Sequence, residues 1–198
     1  MMEAESMRRW IFPAWSLIVP TMLMICLPFL AAEHAYVGNK NCKKCHIKEW
    51  KSWAQTNMAK TYETLASGVA AEAKTDAGLD PDKDYTKDPE CLRCHTTGYG
   101  EEGGFVDAET TPNLLGVGCE MCHGAGGTYV LKEYMSLSNK EYNKAEVVAV
   151  GMVSEITVEQ CLGCHNAESP FVGDDHVFDF EANKDKGTHE KFPLKYKH

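Results

Sequence analysis

Four short stretches combine cysteine and histidine at one fixed spacing: Cys42-Lys43-Lys44-Cys45-His46, Cys91-Leu92-Arg93-Cys94-His95, Cys119-Glu120-Met121-Cys122-His123 and Cys161-Leu162-Gly163-Cys164-His165. In each Cys-x-x-Cys-His unit the two thiols suit addition to the two vinyl groups of a haem. The imidazole next in line then lies under the ring and binds iron. Four matches, with histidine at the same place every time, predict four covalently attached haem c groups. Other chemistries of paired cysteines fit less well. Two zinc sites of four thiolates each have no use for a histidine after every pair. Thioredoxin-like redox pairs need a strand-helix alternation that does not surround these motifs. A disulfide across a two-residue spacer closes a very small ring and gains little from loop closure.

Successive first cysteines lie 49, 28 and 42 residues apart, so the motifs are not a regular repeat array. They belong to one irregular domain, residues 36–198. That leaves roughly 41 residues per haem in a body with a radius of gyration of about 15 Å. Haems cannot be kept far apart in that volume, so each is expected within electron-tunnelling range of a neighbour. So short a chain per cofactor buries little protein surface of its own, and the haems are expected to be the core.

The elements that must carry the motifs read as short helices. Apolar residues recur at Trp50, Ala54, Met58, Tyr62 and Leu65, which predicts one helix from His46 to Leu65 with Gly68 as its stop. Asp88-Pro89 starts a short helix under the second motif, Gly78 to Asp88 reads as a loop, and Thr157 caps the helix of the fourth. A further helix is predicted from Tyr129 to Val148. Glycines crowd the second and third motifs and are expected to let backbone approach the porphyrin closely. Few residues alternate as strands do, so the fold class is mainly α and loop-rich, with little or no β-sheet.

The chain of 198 residues has 43% hydrophobic and 25% charged residues and a net charge of −9, from 29 acids and 20 bases. A disordered chain and a polytopic membrane protein are excluded, and so is a nucleic-acid binder. Arg8 and Arg9 precede 22 uncharged residues, Ile11 to Ala32. Residues 1–35 are therefore a signal peptide or an N-terminal membrane anchor, and both fates stay open. Small residues at Ala31, Ala32 and Ala35 suit cleavage, whereas 22 residues are enough to span a bilayer. The odd cysteine, Cys26, falls in this segment as an ordinary apolar residue. In either case everything after Tyr36 is outside the cytoplasm, in a bacterial periplasm, soluble or anchored.

With the motifs in place the chain resembles the cytochrome c-554 family, typified by the tetrahaem electron acceptor of hydroxylamine oxidation in ammonia-oxidising bacteria. The resemblance runs from about Tyr36 to about Leu194. It is carried by Tyr36-Val37-Gly38, by Ser52-Trp53 and by Leu79-Asp80-Pro81-Asp82-Lys83-Asp84-Tyr85-Thr86. Cys94-His95-Thr96-Thr97-Gly98-Tyr99-Gly100 and Gly116-Val117-Gly118 through Gly124 add to it. It implies a periplasmic, mostly helical body on four closely stacked haems, some with two histidine ligands and one five-coordinate.

Only His34, His176, His189 and His198 lie outside the motifs, so not every haem is expected to have two histidines. His34 lies in the processing region, His176 reads as a solvated turn histidine and His198 is the last residue. His189 follows Phe178-Asp179-Phe180-Glu181, similar to the family's segment that ends in a distal histidine, and is the candidate distal ligand. Where the family has its first distal histidine, twelve residues beyond the first motif's own, this chain has Met58. A thioether is itself a haem ligand and favours ferrous iron. After the third motif another family histidine is missing, and Met135 is close enough to substitute. The haem on His95 has no assigned partner and resembles the family's five-coordinate haem.

The function expected from these features is electron transfer: a relay of single electrons between exported or membrane-bound redox proteins, one a donor and one an acceptor. A retained segment 11–32 would place it in a membrane complex. Beyond residue 35 the balance of 26 acids to 18 bases suits a basic partner face. The alternative is a haem enzyme reducing a small nitrogen species such as nitric oxide at an open iron. The shortage of distal ligands favours that alternative, and the lack of any Cys-x-x-Cys-Lys motif opposes a nitrite-reductase type.

Overall fold

A helix puts residues three and four apart on one face, which is what two thiols and an imidazole reaching one macrocycle require. The computed structural model, which describes residues 35–169 and 178–193, winds every motif accordingly. Helix α1 (Asn39–Lys43) carries Cys42, and the amides of Cys45 and His46 bond back to the Cys42 carbonyl. Helices α2 (Ile47–Trp53), α3 (Asn57–Lys60) and α4 (Ala71–Asp76) follow, with a 3-10 turn at Glu63–Leu65 between the last two. The second motif fills the end of α5 (Pro89–His95) and the third makes up α6 (Cys119–His123). After α7 (Lys144–Ala149), α8 (Val158–Leu162) begins the fourth motif, whose His165 amide reaches the Cys161 carbonyl at 2.9 Å. Helix α9 (Phe180–Asn183) opens the C-terminal segment.

Capping residues start these helices where the sequence indicates. The Asp88 side chain accepts the Glu90 amide ahead of Pro89, and Thr157 and Gln160 form a capping box. Residues 77–88 form a loop, and among the described residues the one β feature is an isolated antiparallel bridge between Thr96 and Leu115. The chain is mainly helical and loop-rich.

Two helices are shorter than the periodicity predicts. The stretch from His46 to Leu65 is three pieces, because Thr56 is extended and caps a new helix. Its Oγ1 accepts from the Ala59 amide and donates to the Trp53 carbonyl at 2.7 Å. From Tyr129 to Asn143 the chain makes turns, and only Lys144–Ala149 is helical. There Ser136 and Asn139 bond to nearby backbone, competing with the helical ladder, and Asn143 accepts the Ala145 amide to start α7 only at Lys144.

The apolar core is small and one-sided. Leu65, Tyr85, Leu92, Phe105 and Leu114 cluster around α5, with Tyr62, Leu79 and Tyr99 against them. Helices α2 and α8 bury no side chain, while α1 buries only Asn39 and α6 only Glu120. Three of the four motifs therefore stand on elements that lack an apolar face of their own. The glycines beside the motifs serve contacts within the protein. At Gly116, with φ +76°, a Cβ would stand 2.6 Å from the Ala59 carbonyl oxygen, so only glycine lets this loop lie on α3. Among the described residues no helix is long and apolar enough to cross a membrane. Residues 11–32, Cys26, His34, His176 and His198 lie outside the described residues.

Candidate haem-binding site

The first and third motifs are clasped together by two reciprocal side chains. Asn39, in the first turn of α1, accepts the Cys119 amide that starts α6 at 3.0 Å. In return Glu120, only 2% exposed, accepts the amides of Val37 at 2.9 Å and Gly38 at 2.7 Å, and that of Gly126 at 2.6 Å. The Cys42 and Cys119 thiols meet at this junction. Their hydrogen bond lowers the pKa of Cys42 and raises that of Cys119.

Third and fourth motifs meet where Gln160 of α8 donates to the Cys122 carbonyl at 2.9 Å. Fourth and second meet through Cys164 and Cys94. The hydrogen bond between these thiols is the main cause that lowers Cys94 to about 6, and the exposed Arg93 is paired with Glu168 beside them. Thr97, just past the second motif, is fully buried and joins it to the approach of the third, accepting the Gly118 amide at 2.9 Å and donating to the Gly116 carbonyl. Among the described residues no group of three or more Cys, His, Asp or Glu side chains converges to hold a bare metal ion.

Three imidazoles are held by the same device. His95 meets the Thr61 carbonyl through Nδ1 at 2.7 Å, His123 the Val153 carbonyl at 3.1 Å and His189 the Glu190 carbonyl at 2.8 Å. A carbonyl only accepts, so Nδ1 carries the proton and Nε2 keeps the lone pair that a metal needs. Burial lowers the pKa of His95 and His123, which favours that neutral ring. His123 also has His189 beside it, with ring centroids 6.2 Å apart and planes inclined by 32°. Two metal–nitrogen bonds of about 2 Å each, added to the ring dimensions, separate imidazoles on opposite sides of one metal ion by about 6 Å. His165 instead stacks on Phe178 at 4.5 Å.

The methionines are brought to different places. Met58 lies in α3, its carbonyl accepting the Val117 amide at 2.9 Å, so it stands on the approach to the third motif. Met135 lies in the turns after Tyr129, where its amide bonds to the Leu131 carbonyl. Met121, inside the third motif, takes the Gly98 amide on its sulfur at 3.3 Å. Spacing gives no warning of the roles of Asn39, Thr61 and Glu120, since each acts on a residue that is distant in sequence.

The chain is similar to known proteins. Residues 41–124, spanning the first three motifs, match the family described as cytochrome c554 and c-prime. Over 151 residues, 73% of the chain, the sequence is 38% identical to cytochrome c-554 of Nitrosomonas europaea, and the match spans 64% of that protein's length. The solved structure of the reduced state of cytochrome c554 from the same organism superposes with a TM-score of 0.68 at 32% identity. The superposition covers 83% of this chain and 89% of that one. The chain belongs to the cytochrome c554 family. Membership makes it a c-type cytochrome by family, and the cofactor that the family implies is covalently bound haem c. The residues present suit that cofactor: paired thiols one helical turn from an imidazole, imidazoles oriented through Nδ1, and three motif helices that bury no apolar side chain.

Proposed function

We propose that this cytochrome c554 family member relays single electrons through four haems in the spatial order first, third, fourth, second motif. The cysteines of the four Cys-x-x-Cys-His units, Cys42 and Cys45, Cys91 and Cys94, Cys119 and Cys122, Cys161 and Cys164, would hold the haems. His46, His95, His123 and His165 would be proximal ligands. His189 would bind the iron of the third motif opposite His123, while Met58 and Met135 are candidate distal ligands elsewhere. When bound, each haem supplies an iron that takes up and gives back one electron.

One observation carries the reading: the succession of cross-motif contacts. Asn39 and Glu120 tie first to third, Gln160 ties third to fourth, and the Arg93–Glu168 ion pair ties fourth to second, while Thr97 braces the second motif on the loop that leads into the third. The protein's part is to fix this succession and to keep the imidazoles oriented, so that transfer needs no rearrangement. Residues 36–198 would be the exported tetrahaem domain and residues 1–35 its signal or anchor, with periplasmic or membrane-bound redox proteins as donor and acceptor.

The test is a redox titration of the holoprotein followed by pulse reduction with less than one electron per molecule. Four one-electron steps are expected, with fast redistribution among haems. Removing the third haem with Cys119→Ala and Cys122→Ala should block redistribution between the first haem and the rest. Unimpeded redistribution in that variant would overturn the order, and fewer than four steps in the wild type would overturn the haem count.

A further inference from the structure

The C-terminal segment that carries His189 lies against α2, the helix that follows the first motif. The Glu190 amide donates to Ser52 Oγ at 2.9 Å, across 138 residues of sequence. Two residues on, the Phe192 ring lies under Lys48 Nζ at 5.7 Å from its centroid. Lys48 and Ser52 are one turn apart on α2 and so share a face. The segment therefore docks on that face through the two residues that bracket Lys191. His189 is the residue immediately before the bonded amide, and its Nδ1 is turned onto the Glu190 carbonyl at 2.8 Å. The peptide group that orients the imidazole and the amide that anchors the segment thus belong to the same residue.

From this arrangement we propose that Ser52 is a positioning residue for the distal histidine of the third motif: by receiving the Glu190 amide it holds His189 opposite His123. The inference rests on the reading that His189 and His123 share an iron. Its consequence is that the helix following the first haem motif controls how firmly the sixth position of the third is closed. A segment anchored in this way lets go of its ligand more readily when the hydroxyl is absent. The third haem then spends more of its time with an open position that a small ligand can take.

Holoproteins carrying Ser52→Ala, Ser52→Thr and His189→Ala are compared with the wild type by electron paramagnetic resonance and by the rate of cyanide binding. His189→Ala should turn one low-spin haem high-spin. Ser52→Ala should raise cyanide binding at that same haem by about three- to tenfold, the factor that one lost hydrogen bond commands. Ser52→Thr, which keeps the hydroxyl, should match the wild type. Ser52→Ala indistinguishable from wild type while His189→Ala opens a haem would overturn the role of Ser52, as would equal opening by alanine and threonine. No spectral change in His189→Ala would instead overturn the ligand reading on which the role depends. Should Ser52→Ala not fold, Glu190→Pro, which removes the donor and leaves Ser52 in place, must show the same faster cyanide binding or the role is lost.

Discussion

The amide of Gly38 donates to the carboxylate of Glu120 at 2.7 Å, joining the approach to the first haem motif to the interior of the third across 82 residues of sequence. The same carboxylate accepts from Val37 and Gly126, so three donors share one nearly inaccessible acceptor group. Each buried donor left without an acceptor costs about 1–3 kcal/mol. Glu120→Ala should therefore lower stability by roughly 3 kcal/mol or more, read as a reduced denaturant midpoint. A change of less than about 0.5 kcal/mol, the range of ordinary surface substitutions, would show that the clasp is dispensable.

His189 should be replaceable from solution. If His189 binds the third haem's iron, His189→Gly should leave that haem without its distal imidazole and turn it high-spin. Added imidazole should restore the low-spin spectrum by filling the vacated space, with saturation at one equivalent of sites. Restoration of no signal, or the absence of any high-spin signal to restore, would show that His189 is not a ligand.

Met58 makes an opposite prediction for potential. If its thioether binds iron, the wild type has a sulfur-to-iron charge-transfer band, and Met58→His should abolish it. One midpoint should fall on the order of 0.1 V, a fraction of the roughly 0.8 V over which axial ligands set haem potentials. A wild-type spectrum without that band would remove Met58 from the ligand set.

Tyr129 should report on alkaline unfolding. Burial, aided by the charge of Glu120, raises its phenol pKa. The unfolded phenol ionises near pH 10, so the unfolded state loses its proton first. The stabilising term is complete below about pH 10 and is lost as pH rises from there through the folded value. Tyr129 Oη also donates to the Gly124 carbonyl at 2.8 Å. Tyr129→Phe should cost about 1 kcal/mol at neutral pH and flatten the decline above pH 10. Identical pH profiles for the two proteins would contradict the buried neutral phenol.

Helix starts were legible at Asp88 and Thr157, where a capping side chain acts on its own neighbours, but not at Thr56 and Asn143, whose caps fall inside longer predicted helices. Helix lengths were not. The apolar stripe from Trp50 to Leu65 has helical period, yet Thr56 turns its hydroxyl on the backbone and Trp53 sends its indole N–H to the Val117 carbonyl, 64 residues away. Periodicity counts which residues face inward and is blind to such a partner. The predicted helix from Tyr129 failed for a similar reason, because short polar side chains offered the backbone local bonds in place of the ladder.

Sequence alone carried the expectation of haem chemistry. Two thiols and an imidazole within five residues form a unit whose geometry is local, so four such units could be read without knowing how the chain folds. Tertiary structure decided how those units are related: which motif adjoins which, that His189 comes to His123, and that Glu120 and Asn39 join the first motif to the third. Those relations depend on hydrogen bonds and ring contacts between residues 38 to 138 positions apart. Chain spacing does not encode which distant donor will meet which acceptor. Only folding, which leaves few buried polar groups without a partner, selects the pairs.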